Sequence, residues 1–265
     1  MKLIVRDALI GYDRDKPIQK YVNFSVSSGE VCCILGPNGC GKTTLVKTIL
    51  GMNPLFGGSI TIDGEDITKW SAQKLSSCVA YVAQHHNQPF PYQVKDVVML
   101  GRVGKSKSMS GKPTKKDYNI VENAMEEMGI SHLRDKPYMD ISGGELQMVM
   151  FARALAQEPR ILIMDEPTAA LDYGNAVRII EKVRQLRETG YGVLMITHNP
   201  DHAFMTGANV ALFMRNKPMR FGTAYDVITR ENIQDAYGIN VKLVEFTHDN
   251  QEIMRTCAPE FGGTR

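Results

Sequence analysis

The chain has 265 residues, 43% hydrophobic and 23% charged, an ordinary globular composition long enough to bury a substantial core as one large domain or two small ones. Lys+Arg of 31 against Asp+Glu of 29 leaves a formal charge of +2, so no global basic field points to nucleic acid as a partner. Five cysteines, Cys32, Cys33, Cys40, Cys78 and Cys257, lack the paired C-x-x-C spacing of a zinc site and fit a reducing cytosol; no signal-peptide run opens the chain, and no stretch of about 18 uncharged apolar residues could cross a bilayer.

In chain order, Leu3-Ile4-Val5 and Val22 to Ser27 read as short strands of a small sheet, separated by polar, Pro-containing turns. Val31-Cys32-Cys33-Ile34-Leu35 is a continuous apolar run, the pattern of a strand buried on both faces. A glycine-rich loop follows it, and Thr44 to Leu50 reads as a helix ended near Gly51. Ser59 to Gly64 returns to small-sheet character, and Val79 to Val82 reads as another buried strand. From about His86 to Leu155 the pattern is helical, with Val94 to Leu100 and Ile120 to Met128 at helical spacing and a lysine-rich loop between them. Ile161 to Met164 and Val193 to Ile196 are strand-like around the amphipathic helix Ala176 to Glu188, a strand, helix, strand unit of a parallel sheet. The tail after Val210 reads as short strands and helices, ending in a Gly-rich and mobile Phe261 to Arg265. There is no internal repeat, and the fold class is α/β.

Gly36-Pro37-Asn38-Gly39-Cys40-Gly41-Lys42-Thr43 fits G-x-x-x-x-G-K-[ST], between a predicted strand and a predicted helix that takes in Thr44. Gly39 and Gly41 let successive N–H groups turn inward as a concave anion site at a helix N-terminus. Lys42 would then reach the β and γ phosphates of ATP, and the Thr43 hydroxyl would ligate Mg²⁺. Ile161 to Met164 leads into Asp165-Glu166, two carboxylates at a strand's carboxyl end, where α/β sheets bind ligands. Such acids also serve as helix caps. With a phosphate loop upstream, Asp165 suits the Mg²⁺ shell and Glu166 suits a general base for the attacking water.

Ile141-Ser142-Gly143-Gly144-Glu145-Leu146-Gln147, lying between the phosphate loop and the strand-end acids, resembles the signature motif of ABC ATPases. At a helix start these residues offer a hydroxyl, N–H groups and a positive dipole end to a γ-phosphate. Further positions match that family one at a time. Tyr12, after Gly11, resembles the aromatic that stacks on adenine. Gln84, ending the strand Tyr81-Val82-Ala83, resembles the glutamine that senses Mg²⁺ and the attacking water. Asp172, in Ala169-Ala170-Leu171-Asp172, resembles the aspartate loop that passes between protomers, and His198, after Ile196-Thr197, the switch histidine that contacts the γ-phosphate. One departure is Met148-Val149-Met150, where the family often has a basic residue after Gln147.

The resemblance implies a P-loop NTPase core of ABC type with an antiparallel β subdomain and an inserted α-helical subdomain. Residues 1–85 and 156–220 would form the core, about 86–155 the helical part, and about 221–265 a C-terminal extension. It also implies a head-to-tail dimer in which each ATP lies between the phosphate loop of one copy and Ser142 to Glu145 of the other. With no span of its own, the chain would work at the cytoplasmic face on polytopic permease subunits, served by an external substrate-binding protein. Val94 to Arg102 and Ala152 to Pro159 look like the corresponding stretches in importers of iron siderophores, haem and cobalamin. The alternatives are an importer ATPase for another solute such as an oxyanion, or a soluble ABC ATPase that moves no solute, for example in iron–sulfur assembly. Lys105, Lys107, Lys112, Lys115 and Lys116 read as a solvated loop, the scattered methionines as core packing, and His85, His86 and His202 as no ligand set.

Overall fold

The computed structural model describes residues 1–84, 91–105, 112–215, 217–247 and 253–261. His85, His86, Lys107 and the Gly262 to Arg265 end of the tail lie outside these described residues. The chain forms two compact units, Met1–Lys69 with Gly192–Arg265, and Trp70–Tyr191.

The first unit starts with β1 (Lys2–Ile10), β2 (Gln19–Ser27), β3 (Val31–Leu35), α1 (Lys42–Ile49), β4 (Gly57–Ile62) and β5 (Glu65–Asp66). The second holds α2 (Ala72–Cys78), β6 (Val79–Val82), α3 (Val94–Met99), α4 (Lys115–Glu127), α5 (Gly143–Leu155), β7 (Ile161–Asp165) and α6 (Tyr173–Glu188). The chain then returns to the first unit as β8 (Gly192–Ile196), α7 (Asp201–Thr206), β9 (Asn209–Leu212), β10 (Arg220–Thr223), α8 (Ala224–Val227), α9 (Arg230–Tyr237), β11 (Val241–Thr247) and β12 (Ile253–Pro259). The result is mixed α/β, with parallel and antiparallel sheet.

In the first unit, β3 pairs in parallel with β8, Val31 opposite Val193, and with β9, Leu35 opposite Leu212. Every residue of β3 and β8 is buried, which is why both read as unbroken apolar runs rather than alternating ones. A separate antiparallel sheet is built from β2, β1, β4 and β5. Its strand β1 runs well past the expected Leu3-Ile4-Val5. Leu3 and Val5 are buried, and so are Ala8 and Ile10, so the inward phase slips by one residue between the two pairs. A register shift between Val5 and Ala8 absorbs the slip, with Asp7 at φ 46. The side chain of Asn23 on β2 meets it, accepting from the Asp7 N–H at 3.0 Å and donating to the Asp7 carboxylate at 2.9 Å.

In the second unit, β6 pairs in parallel with β7, Val79 opposite Ile161 and Val82 opposite Met164. Because β6 stops at Val82, Gln84 lies two residues beyond the strand instead of on it. Helix α4 begins at Lys115, five residues before the expected Ile120, since Thr114 and Asp117 form a reciprocal capping box. Arg102 is buried against Asp117, Nε to Oδ1 at 2.9 Å, and its Nη1 donates to the Ala156 carbonyl at 2.7 Å and Glu158 Oε2 at 2.9 Å. A guanidinium so fully hydrogen-bonded fastens the turn after α3 to α4 and to the end of α5. Met148-Val149-Met150, the family departure, lies on α5 with Val149 and Met150 in the core.

Candidate functional site

The first unit carries the phosphate loop. Helix α1 starts two residues earlier than expected, at Lys42, and its N-cap is Gly41 with φ 102 and no side-chain cap. The orphan N–H groups of the first helical turn are therefore not consumed by a capping side chain, the arrangement that suits an anion. Lys42 is only 6% exposed, and its ammonium folds over the loop, donating to the carbonyls of Gly36 at 2.8 Å and Pro37 at 3.0 Å. Gly36 has φ 147, and a Cβ there would stand 2.6 Å from the Phe213 carbonyl oxygen and 2.8 Å from Cys40 Sγ. Only glycine serves where the loop presses this closely on neighbouring backbone. Cys40 is buried, and that burial pushes its thiol pKa up, making it a weak nucleophile.

Three more side chains hold this loop by hydrogen bonds. Gln19 Nε2 donates to the carbonyls of Cys40 at 3.1 Å and Met214 at 2.8 Å. Arg215 Nη2 donates to the Asn38 carbonyl at 2.7 Å, and the Gly36 N–H donates to Tyr237 Oη at 2.9 Å. Each comes from far along the chain, so no local pattern announces it. Of the remaining first-unit residues, Thr43 is exposed beside buried Thr44, and Tyr12 follows β1 and is 68% exposed. His198 is exposed just past β8. Its turn is braced by buried Thr197, whose hydroxyl pairs with His202 Nδ1 at 2.7 Å and accepts the Asn199 N–H at 3.2 Å. Desolvation holds the His202 imidazole pKa below its ordinary value, so it stays a neutral bracing group.

The second unit carries the acids. Asp165 ends β7 at 5% exposure and accepts from the Tyr81 hydroxyl at 3.2 Å. Burial, and then the neighbouring Asp165 charge, push the Tyr81 phenol up to about 12, so it remains a donor. Gln84 Nε2 donates to Glu166 Oε2 at 2.7 Å, joining two residues singled out independently. Glu166 has φ 51, a left-handed backbone that costs a non-glycine residue about 1–3 kcal/mol and tends to mark functional positions.

Ser142 is the N-cap of α5 in a reciprocal capping box: its hydroxyl accepts from the Glu145 N–H at 3.3 Å, and the Glu145 carboxylate accepts from the Ser142 N–H at 2.8 Å. Asp172 caps α6, accepting from the Asn175 N–H at 2.8 Å and its side-chain amide at 2.6 Å. The backbone bond from Asn175 holds the Asp172 carboxyl below its ordinary pKa. These two turns meet: a Cβ on Gly144 would lie 2.7 Å from the Asn175 side chain, so Gly143 and Gly144 admit the Asp172 turn at close range.

Residues 19–169 match a family model described as ABC transporter. An uncharacterized ABC transporter ATP-binding protein of Haemophilus influenzae is 37% identical over 256 residues, covering 97% of this chain and 96% of that protein. The hemin import ATP-binding protein HmuV of Burkholderia lata is 36% identical, covering 88% of this chain and 92% of its own length. The iron(3+)-hydroxamate import ATP-binding protein FhuC of Bacillus subtilis is 30% identical, with coverages of 93% and 91%. Among solved structures, a chain of an ABC transporter assigned to the metal-chelate type, in an inward-facing conformation, superposes with a TM-score of 0.85 at 25% identity over 98% of this chain and 97% of that one.

Proposed function

The chain belongs to the ABC transporter family, and from that premise we propose that it is the ATP-hydrolysing motor of a membrane importer for a metal chelate: an iron siderophore, haem or cobalamin. Tyr12 stacks on adenine, and Gly36 to Thr44 cradles the phosphates through backbone N–H groups, with the Lys42 ammonium turning from loop carbonyls to phosphate oxygens. Glu166 accepts the proton of the attacking water, Gln84 orients that carboxylate and the water, and His198 contacts the γ-phosphate. Mg²⁺ usually takes only one or two carboxylates besides water and phosphate, so the hydroxyl of Thr43, the amide of Gln84 and the carboxylate of Asp165 suit it. When bound, it offsets charge on the phosphate oxygens.

A second copy, arranged head to tail, supplies Ser142 to Glu145 and the Asp172 turn to the same nucleotide. Residues 1–85 and 156–220 act as the nucleotide-binding core, about 86–155 as the helical part, and about 221–265 as an extension. Polytopic permease subunits hold the protein at the cytoplasmic face of the membrane, and an external binding protein delivers cargo. No helix among the described residues is long and apolar enough to cross a membrane. The cavity lined by Tyr81, Ala83, Met150, Arg153 and Gln157 supports placing the permease contact beside Gln84.

The observation that carries the hydrolytic reading is the 2.7 Å bond from Gln84 to Glu166. Glu166→Gln is expected to bind ATP but turn it over roughly 10²–10⁴-fold more slowly, as loss of a general base dictates. Near-normal hydrolysis would exclude Glu166 from that role. For the cargo, the copurified membrane complex is reconstituted and its ATPase rate measured with haem, ferric siderophore, cobalamin or an oxyanion; stimulation by the oxyanion alone overturns the metal-chelate assignment.

A further inference from the structure

The part of the chain after β10 touches the nucleotide-binding turns of the first unit at two places. At one, Tyr237, the last residue of α9, accepts the Gly36 N–H on its Oη at 2.9 Å. Gly36 is the first residue of the phosphate loop and is already pinned by contact with the backbone at Phe213. At the other, Asp201, the first residue of α7 and three residues past His198, grips β12: its Oδ1 accepts the Cys257 N–H and its Oδ2 the Thr256 hydroxyl, both at 2.8 Å. The hairpin of β11 and β12 is itself anchored, with Arg255 Nε donating to Glu245 Oε1 at 3.1 Å and its guanidinium 4.9 Å from the Tyr225 ring centre. The Tyr225 hydroxyl donates to the Ile253 carbonyl at 3.0 Å, and its ring packs edge-on against Phe204 of α7 at 5.3 Å.

We infer that α9 and the β11–β12 hairpin form a clasp that sets the geometry of the ATPase site, with Tyr237 as a positioning residue for the phosphate loop and Asp201 as one for the His198 turn. The inference rests on the ATPase reading above. Neither residue touches the reacting atoms. Tyr237 fixes the start of the loop whose N–H groups bind phosphate, so its loss falls on nucleotide affinity. Asp201 fixes the turn that carries His198, so its loss falls on turnover. Burial pushes the Tyr237 phenol up to about 12, which keeps it protonated and uncharged beside the loop at any working pH.

The test uses the full chain in its assembled complex, measuring kcat and KM, and ATP affinity in a Glu166→Gln background where turnover is blocked. Tyr237→Phe keeps the ring and removes only the acceptor; it is expected to weaken ATP binding roughly 3–10-fold with kcat near wild type, as for an unpaired N–H beside a charged ligand. Asp201→Ala is expected to lower kcat roughly 3–10-fold with KM near wild type. Asp201→Asn, which can still accept the Cys257 N–H and donate to the Thr256 hydroxyl, restores it. Lowered melting temperatures with unchanged constants, or losses of the same kind in both variants, overturn the clasp. A wild-type complex that neither binds nor hydrolyses ATP overturns the ATPase reading itself, and the clasp with it; that failure shows without any variant.

Discussion

The phosphate loop and the signature turn both lead into helices, yet they are held in opposite ways. Helix α1 starts on Gly41 with no side-chain cap, and its loop is shaped by Gln19, Phe213, Arg215 and Tyr237, the last 201 positions away from its partner Gly36. Helix α5 starts on Ser142, whose hydroxyl and N–H are both bonded to Glu145 three residues on. One turn exists because the whole unit has folded around it, and the other closes on itself. The difference follows from what each must offer. A self-capped start holds its shape through the Ser142 and Glu145 N–H groups alone, whereas an uncapped loop keeps its first-turn N–H groups for a ligand and needs outside support to hold that costly shape.

The largest effect that would sharpen this contrast is Gly36→Ala. The added methyl meets a backbone carbonyl at 2.6 Å, at a φ of 147, so neither the residue nor its neighbour can yield cheaply. A loss on the order of 3 kcal/mol in urea denaturation is expected, together with loss of ATP binding by equilibrium titration. A folded Gly36→Ala protein with ordinary ATP affinity would mean the loop does not depend on its distant supports. Ser142→Ala comes next, at about 1 kcal/mol, the usual cost of removing a serine cap. Because that turn closes locally, ATP affinity of the single chain should stay within about twofold, a change well under 1 kcal/mol. A larger drop in affinity would tie the signature turn to the chain's own phosphate loop and break the contrast.

The same division decides what could be read from the sequence. Val31 to Leu35 and Ile161 to Met164 were legible as strands because burial on both faces makes each an unbroken apolar run, and Val79 to Val82 because only Tyr81 in it is half-buried. The loop at Gly36 to Thr43 and the signature at Ser142 to Glu145 were legible because their chemistry is written in consecutive residues. Other signals are local but fainter. Ser71 and Thr114 cap α2 and α4, and the phase slip at Asp7 hides the second half of β1. Tyr237, Arg215 and Gln19 were illegible in a stronger sense. Nothing near Tyr237 distinguishes it from any helical tyrosine, and its role exists only once α9 has been carried back to the end of β3. The bond between Gln84 and Glu166, 82 residues apart, stands between these cases: each residue was found by motif, but their contact is a product of the fold.

The smallest effect concerns pH at the signature turn. The Ser142 N–H and hydroxyl bond the Glu145 carboxylate and hold its pKa below the ordinary 4.5. A depressed carboxyl contributes stability that is fully present above its unfolded value and is lost as pH falls through the folded one. Glu145 is partly exposed, so solvent screening keeps the contribution small. The measurement is the difference in urea midpoint between wild type and Glu145→Gln at successive pH values. It should favour wild type slightly at neutral pH, hold steady down to the ordinary glutamate value, and shrink toward zero below it, since a protonated Glu145 and a glutamine offer the Ser142 N–H nearly equivalent neutral acceptors. A difference that stays constant through the acid range would place the stabilisation in side-chain packing, and the turn would then owe its closure to its surroundings, as the phosphate loop does.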